Sequence, residues 1–263
     1  MAHRCNTKGW LEQAIKWESN GIECDVTKDN GKFYTWHGDV GGWEELDIYL
    51  EHACVQLQNG NGQKVSLFLF DLKYDEDDTI KASDISHIRQ KVQEKLLNPI
   101  NADLGANDAG GLYVFYGIYE GESYAGEFEK SMTAFPLQRR EGINYDANRE
   151  TEPEMALEWK DKNNVTNFLY SSGIFAGGSS PTMWKQLEQA GKLRSSHAFG
   201  VYGWTFGEAR SAANTVKDYQ IDGVLGNMDQ DYGWLPTYLS YYGLDSYSLV
   251  SRQDMPPFLK KMA

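Results

Sequence analysis

A few short segments of this 263-residue chain concentrate groups able to hold a cation and move protons. The first is Glu23-Cys24-Asp25, at the end of an apolar run that reads as a strand. Strand side chains alternate faces, so Glu23 and Asp25 point one way and Cys24 the other. Two carboxylates on an inward strand face repel one another and resist desolvation, so they need a compensating cation. A hard divalent ion such as Mg²⁺ suits an all-oxygen donor set and keeps coordination positions for a substrate phosphate. The plainer reading is a solvated strand end neutralised by Lys or Arg. Asp71-Leu72-Lys73 repeats the pattern at the end of the run Lys64–Leu72. There Asp71 offers a third oxygen ligand and Lys73 a positive charge for a phosphate, or the two form an ordinary strand-end ion pair.

His3 and His37 are the proton-transfer candidates. His37 follows the strand-like run Phe33-Tyr34-Thr35-Trp36, and histidines near neutral pH divide acid and base work when two face one site. Each taken singly also reads as a structural residue. His52 and His87 fall inside helical patterns and His197 precedes a strand, so these three read as surface or packing residues. Tyr202 and Trp204 share one face of the run Phe199–Trp204; they offer ring faces to a quaternary ammonium or serve as core aromatics. Asn227 ends a further apolar run and is a candidate hydrogen-bond donor to phosphate. Arg4 stays ambiguous, and Cys5 and Cys24 read as buried thiols.

The elements that must position these groups alternate. Strand candidates are Gly21–Val26, Val65–Leu72, Leu112–Tyr119, Asn167–Ser171, Phe199–Trp204 and Gly223–Asn227, with Gly142–Tyr145 weaker. Apolar residues recur at three- and four-residue steps through Leu46, Leu50, Ala53, Cys54 and Leu57, and through Ile85, Ile88, Val92 and Leu96. The stretches Thr182–Ala190 and Glu208–Tyr219 also read as helices. Alternation over the whole length implies a parallel sheet, and about eight units fit a closed (β/α)₈ TIM barrel. An open doubly wound sheet alternates too, but no Gly-x-Gly-x-x-Gly follows an early strand. Residues 1–263 are expected to form a single domain.

Composition narrows the partners. With 25 basic against 38 acidic residues the net charge is −13, which argues against nucleic acid and against electrostatic adhesion to an anionic membrane. A neutral or zwitterionic substrate is compatible. No run is long and apolar enough for a transmembrane helix, and Met1-Ala2-His3-Arg4 lacks the apolar region of a signal peptide. Cys5, Cys24 and Cys54 are odd in number and contain no Cys-x-x-Cys pair, which leaves at least one thiol outside any intrachain disulfide.

In order along the chain, Ala2-His3, Gly21-Ile22-Glu23-Cys24-Asp25-Val26, Tyr34-Thr35-Trp36-His37-Gly38, Phe70-Asp71-Leu72-Lys73, Val201-Tyr202-Gly203-Trp204-Thr205 and Asp222-Gly223-Val224-Leu225-Gly226-Asn227 resemble the spider-venom-type sphingomyelinase D/phospholipase D toxins. That group lies within the glycerophosphodiester phosphodiesterase-like superfamily and has bacterial and fungal relatives. The resemblance implies a (β/α)₈ barrel and Mg²⁺ held by Glu23, Asp25 and Asp71. It implies His3 and His37 as the nucleophile or acid–base pair, with Lys73, Tyr202, Trp204 and Asn227 around phosphate and headgroup. The implied activity is headgroup release from choline- or ethanolamine-type sphingolipids or lysolipids at a membrane surface. The implied product is a cyclic phosphate, and the protein a secreted monomer. A glycerophosphodiester phosphodiesterase giving an open monoester is the enzymatic competitor; a non-catalytic lipid-binding barrel is the other alternative. Here His37 runs within a few residues into a helix starting near Trp43, and the third acidic position is Asp71-Leu72-Lys73 rather than Glu-x-Lys; both tilt away from the competitor. The stretch Leu249–Pro256 loosely follows the family's C-terminal plug, with Met255-Pro256-Pro257 in place of Asn-Pro-Trp. Other departures are Gly207-Glu208 after the Trp-Thr motif, Cys24 in place of a small hydroxyl residue, no cysteine in Gly38–Trp43, and a first barrel strand that reads as truncated.

Overall fold

Largely apolar strands curl into a nine-stranded sheet in the order β3-β2-β1-β4-β5-β6-β7-β8-β9. The computed structural model describes residues 1–37, 43–73, 80–105, 110–118, 121–147, 152–173, 180–197, 199–206, 209–226 and 249–254. Helix α1 (Lys8–Lys16) precedes β1 (Gly21–Asp29), β2 (Lys32–Thr35) and β3 (Glu44–Glu45). Then come α2 (Leu46–Gln58), β4 (Leu67–Leu72), α3 (Ala82–Val92), a π turn at Gln93–Leu97 and the short α4 (Asn98–Ile100). The alternation continues through β5 (Tyr113–Ile118), α5 (Gly121–Ala134), β6 (Glu141–Ala147), α6 (Pro153–Lys162) and β7 (Phe168–Gly173). It ends with α7 (Pro181–His197), β8 (Gly200–Phe206), α8 (Ala209–Tyr219) and β9 (Gly223–Gly226).

Pairing is parallel from β1 through β4 to β9, the signature of successive strand–helix crossovers. Ala2 bridges Ile22 of β1 and Gly226 of β9, both in parallel, and so joins the two ends of the curled sheet. Its amide donates to the Gly21 carbonyl at 2.9 Å and its carbonyl accepts from Glu23 N at 2.8 Å. The architecture is an α/β barrel of the TIM type, with one residue in the place of its first strand. β2 and β3 are an antiparallel extension of β1 beyond the barrel. Glu44 and Glu45 pair with Thr35 and Tyr34, so the helix expected near Trp43 begins only at Leu46.

Alternation sorts the side chains into two apolar populations. Cys24, Phe68, Phe70, Val114, Tyr116, Phe168, Tyr170 and Val201 face outward and pack beneath the helices. Leu67, Leu69, Tyr113, Phe115, Leu169, Tyr202 and Leu225 fill the barrel interior. At the N-terminal rim of the strands the segment 249–254 crosses the opening. Arg252 donates to the carbonyls of Val65, Leu57 and Gly62 at 2.6, 2.9 and 3.0 Å, and its own carbonyl accepts from Gly111 N at 2.7 Å. Met255-Pro256-Pro257 lie outside the described residues.

β6 is anchored from outside by a buried ion pair. Arg89 of α3 contacts Glu141 at 3.1 Å, and Tyr116 OH, Gln93 Nε2 and Gln138 N all donate to the same carboxylate. Both charges are fully withdrawn from water, so removing either strands its partner. We expect Arg89→Met to lower unfolding free energy by about 3–5 kcal/mol in urea titrations, and Glu141→Gln to cost less because the amide keeps an acceptor. Equal, sub-kcal effects would show that the pair is not an anchor.

Candidate active site

The C-terminal ends of the parallel strands carry an acidic cluster. Register sets Asp25 of β1 beside Asp71 of β4, and Glu23 lies two residues back on the same inward face. Oxygens of Glu23, Asp25 and Asp71 lie within 4.8 Å of one another. Glu23 and Asp25 are each 1% exposed. On the next strand the position beside Asp71 is Gly117, and the Asn144 side chain of β6 takes the room a Cβ there would need, its Nδ2 only 2.9 Å from that point.

Each carboxylate has one oxygen engaged. Asn6 Nδ2 donates to Asp25 Oδ2 at 2.6 Å, and Asp25 N donates back to Asn6 Oδ1 at 2.8 Å. Arg4 N donates to Glu23 Oε2 at 2.5 Å. Lys73 Nζ hydrogen-bonds Asp71 Oδ2 and lies 3.2 Å from Asp25 Oδ1. The other oxygens, Glu23 Oε1, Asp25 Oδ1 and Asp71 Oδ1, are buried without a hydrogen bond; Asp25 Oδ1 has only the ion-pair contact with Lys73. Three carboxylates within 4.8 Å of one another, each with one oxygen that takes no hydrogen bond, fit a hard divalent cation.

The electrostatics follow from burial. Withdrawal from water, then repulsion from Asp25 and Asp71, pushes Glu23 well above the usual carboxylate range. Burial likewise raises Asp71, against the pull of Lys73. Asp25 is desolvated too, but Lys73, the Asn6 hydrogen bond and both histidines outweigh that and hold it low. Lys73 is desolvated, yet Asp71, Asp25 and Glu23 raise it, so it stays charged.

The histidines flank this cluster. His3 Nε2 lies 3.9 Å from Glu23 Oε2. His37 Nε2 lies 2.6 Å from Arg4 Nη2. The loop between them is fixed by Thr35 Oγ1 donating to Asn6 O at 2.7 Å and Tyr49 OH donating to Cys5 O at 2.5 Å. Trp204 is at the same end of the barrel, its Nε1 donating to Asp146 Oδ1 at 2.9 Å. Tyr202 sits one layer deeper, in the apolar interior. Both aromatics owe their room to glycine: a Cβ on Gly173 would fall 2.5 Å from Cδ2 of the Trp204 ring, and one on Gly223 would fall 2.2 Å from the Tyr202 ring. Asn227 and Gly207-Glu208 lie outside the described residues. Cys5, Cys24 and Cys54 are free thiols.

Asp146, Asn6 and Arg4 are the site-lining residues that sequence reasoning left unassigned. Asp146 is buried on β6, and desolvation followed by repulsion from Asp71 pushes its carboxyl well up.

No protein-family model matches the chain. A sphingomyelinase D of Trichophyton rubrum is 26% identical over 241 residues, covering 86% of this chain and 67% of the fungal protein. A dermonecrotic toxin of Loxosceles arizonica is 33% identical over 85 residues, covering 28% of this chain and 31% of the toxin. Both matches support the sphingomyelinase D/glycerophosphodiester phosphodiesterase-like family. Among solved structures, a GH26C protein of Muricauda sp. MAR_2010_75 aligns over 95% of this chain and 92% of its own, with a TM-score of 0.46 and 10% identity.

The cluster makes a signed prediction. Glu23, Asp71 and Asp146 hold protons more tightly folded than unfolded, so their contribution is present below about pH 4 and lost as pH rises through their raised folded values. Asp25 has the opposite sign. In chelator, Tm should therefore fall as pH rises above the ordinary carboxylate value of about 4, and millimolar Mg²⁺ or Mn²⁺ should raise it most at the alkaline end, where the ligands are ionised. Asp71→Asn should remove most of the metal-induced rise; an undiminished rise in that variant refutes cation binding at this cluster.

Proposed function

We propose that this protein is a divalent-cation-dependent phosphodiesterase of the phospholipase D type. It releases the headgroup alcohol from choline- or ethanolamine-type sphingolipids or lysolipids. The observation that carries this reading is the meeting of two buried carboxylates, the half-buried Asp71, Lys73 and two histidines at one strand-end rim. Its relative of similar span is named a sphingomyelinase D, which supports phospholipase D-type chemistry in the broad sense.

Glu23, Asp25 and Asp71 would hold the cation, with Mg²⁺ the ion we assign. When bound, that ion supplies charge to neutralise the phosphate oxygens and polarise phosphorus. Lys73 leans toward the same place from Asp71 and adds a second cationic group. The lipid's own neighbouring hydroxyl attacks phosphorus, and its proton passes to one imidazole of the His3/His37 pair. The bond from phosphorus to the headgroup oxygen breaks, and the other imidazole protonates the departing alcohol. The products are a cyclic phosphate and a free headgroup alcohol, with no water consumed.

Trp204 presents an aromatic face near Asp146, a pairing suited to a quaternary or primary ammonium. No described helix is long and apolar enough to cross a membrane. Lipid would meet the site at the C-terminal rim of the strands, where the acidic cluster lies. The zwitterionic headgroup agrees with the acidic net charge of −13. We assign the protein to the extracellular side because one relative is named a dermonecrotic toxin, and we take it to act as a monomer.

Phosphorus NMR of products from sphingomyelin, its ethanolamine analogue and lysolipids tests the reading. A cyclic phosphate signal that disappears with chelator is expected. An open monoester would instead identify a glycerophosphodiester phosphodiesterase-type hydrolase. Either single variant, His3→Ala or His37→Ala, should lose at least about 100-fold in rate; undiminished headgroup release in the double variant excludes this mechanism.

A further inference from the structure

At the rim the guanidinium of Arg4 touches a candidate catalytic imidazole. Its Nη2 lies 2.6 Å from His37 Nε2. A guanidinium only donates, so in this contact Nε2 accepts and the ring proton sits on Nδ1. The backbone holds Arg4 in this role: φ is +55°, a left-handed conformation costly for a residue with a Cβ. That twist aims the amide at Glu23 Oε2 while the side chain reaches His37.

The guanidinium is also incompletely used. Arg4 Nε is buried without a hydrogen-bond partner. The contrast with Lys73 is sharp, because its ammonium is tied to both Asp71 and Asp25. An oxyanion with two free oxygens matches the unused donor edge of a guanidinium, and charge-assisted bonds to an anion are about twice as strong as those to a neutral acceptor. A phosphate diester therefore outcompetes the imidazole for Arg4.

We propose that Arg4 is a substrate-operated cap on His37: its guanidinium occupies Nε2 until the phosphodiester anion draws it away, which clamps the phosphate and uncovers the lone pair for proton transfer. The exchange moves hydrogen bonds only, with no covalent step. It rests on the phosphodiesterase reading above and adds to it a coupling between substrate binding and availability of the base. A pyrophosphate or lone carboxylate would not satisfy both requirements, since the reacting diester must also bring its attacking hydroxyl to His37 or His3.

The test uses the full chain, Mg²⁺-loaded and labelled with ¹⁵N-histidine, with dimethyl phosphate as the probe. His37 signals are assigned by their loss in His37→Gln. Without probe, His37 should show Nδ1 protonated and Nε2 shifted to lower frequency by hydrogen bonding. Dimethyl phosphate should move Nε2 to higher frequency. In Arg4→Met the Nε2 signal should start at that higher position and stay there, and KM for the cleaved lipid should rise roughly tenfold or more. Arg4→Lys, which keeps a charge and a donor, guards against a folding defect and should give a smaller rise in KM.

The proposal is overturned if Arg4→Met or Arg4→Lys shows the wild-type Nε2 position, if the wild-type signal stays put while ³¹P line broadening reports probe binding, or if the probe does not bind. Probe-induced release without lipid cleavage would retain the cap and reject the lipid substrate; lipid cleavage with an unmoved His37 would do the reverse.

Discussion

Like charges brought together out of water set the terms for the rest of this molecule. Glu23, Asp25 and Asp71 converge on a few ångströms of barrel rim, and burial makes their mutual repulsion expensive. The surrounding groups are arranged around that cost. Asn6 and the Arg4 amide each satisfy one oxygen, and Lys73 supplies a cation shared between Asp25 and Asp71. What stays without a hydrogen bond is one oxygen per carboxylate, on three groups that lie within 4.8 Å of one another. A structural ion pair needs no such arrangement. A site for a second, mobile cation does, because it must hold ligands ready in a form that the fold alone does not neutralise.

The barrel makes this concentration possible. Parallel pairing puts equivalent rims of all strands at one end, so residues distant in sequence become neighbours by register alone, as Asp25 and Asp71 do. The interior then has to be filled without crowding that rim. Apolar side chains occupy the lower layers, while Gly117, Gly173 and Gly223 remove bulk beside Asp71, Trp204 and Tyr202. The opposite end is held by Arg252 on backbone carbonyls and by the Arg89–Glu141 pair outside β6. Stability elements and chemistry-bearing elements thus sit at opposite ends of the strands, which lets the rim carry unfavourable charge.

Much of this was legible in the sequence. The strands ending in Glu23-Cys24-Asp25 and Asp71-Leu72-Lys73 announce themselves by uninterrupted apolar runs, and period-two alternation is enough to put the carboxylates inward. The residues left unassigned are those whose local signal is weak. Asp146 lies past the end of the expected Gly142–Tyr145 strand, because β6 is polar for a buried strand; Glu141, Asn144 and Asp146 are all buried there. Helices α5 and α6 are faint in the sequence because few apolar residues mark their buried faces, whereas the short α1 does carry the stripe Leu11, Ala14 and Ile15. Asn6 and Arg4 sit in a loop, where no periodicity exists and only the folded chain shows what a side chain reaches. The late start of α2 is a tertiary effect, since Glu44 and Glu45 are drawn into pairing with β2.

The same loop explains why the two histidines are not equivalent. His3 follows Ala2, the residue that joins β9 to β1, so its backbone is fixed by the barrel closure itself, with its amide on Gly226 O at 3.2 Å. His37 hangs from the β2 extension, outside the closed sheet, and is steadied by Thr27 Oγ1 on the carbonyl of Trp36 at 2.6 Å and by Arg4. One imidazole is held by the scaffold and lies near a carboxylate ligand; the other is held by a side chain that an incoming anion competes for. A division of labour in which the scaffold-fixed His3 stays at the carboxylates while His37 becomes available on substrate binding follows from that asymmetry of support. It is set by where the chain closes its barrel rather than by any difference between the imidazoles themselves.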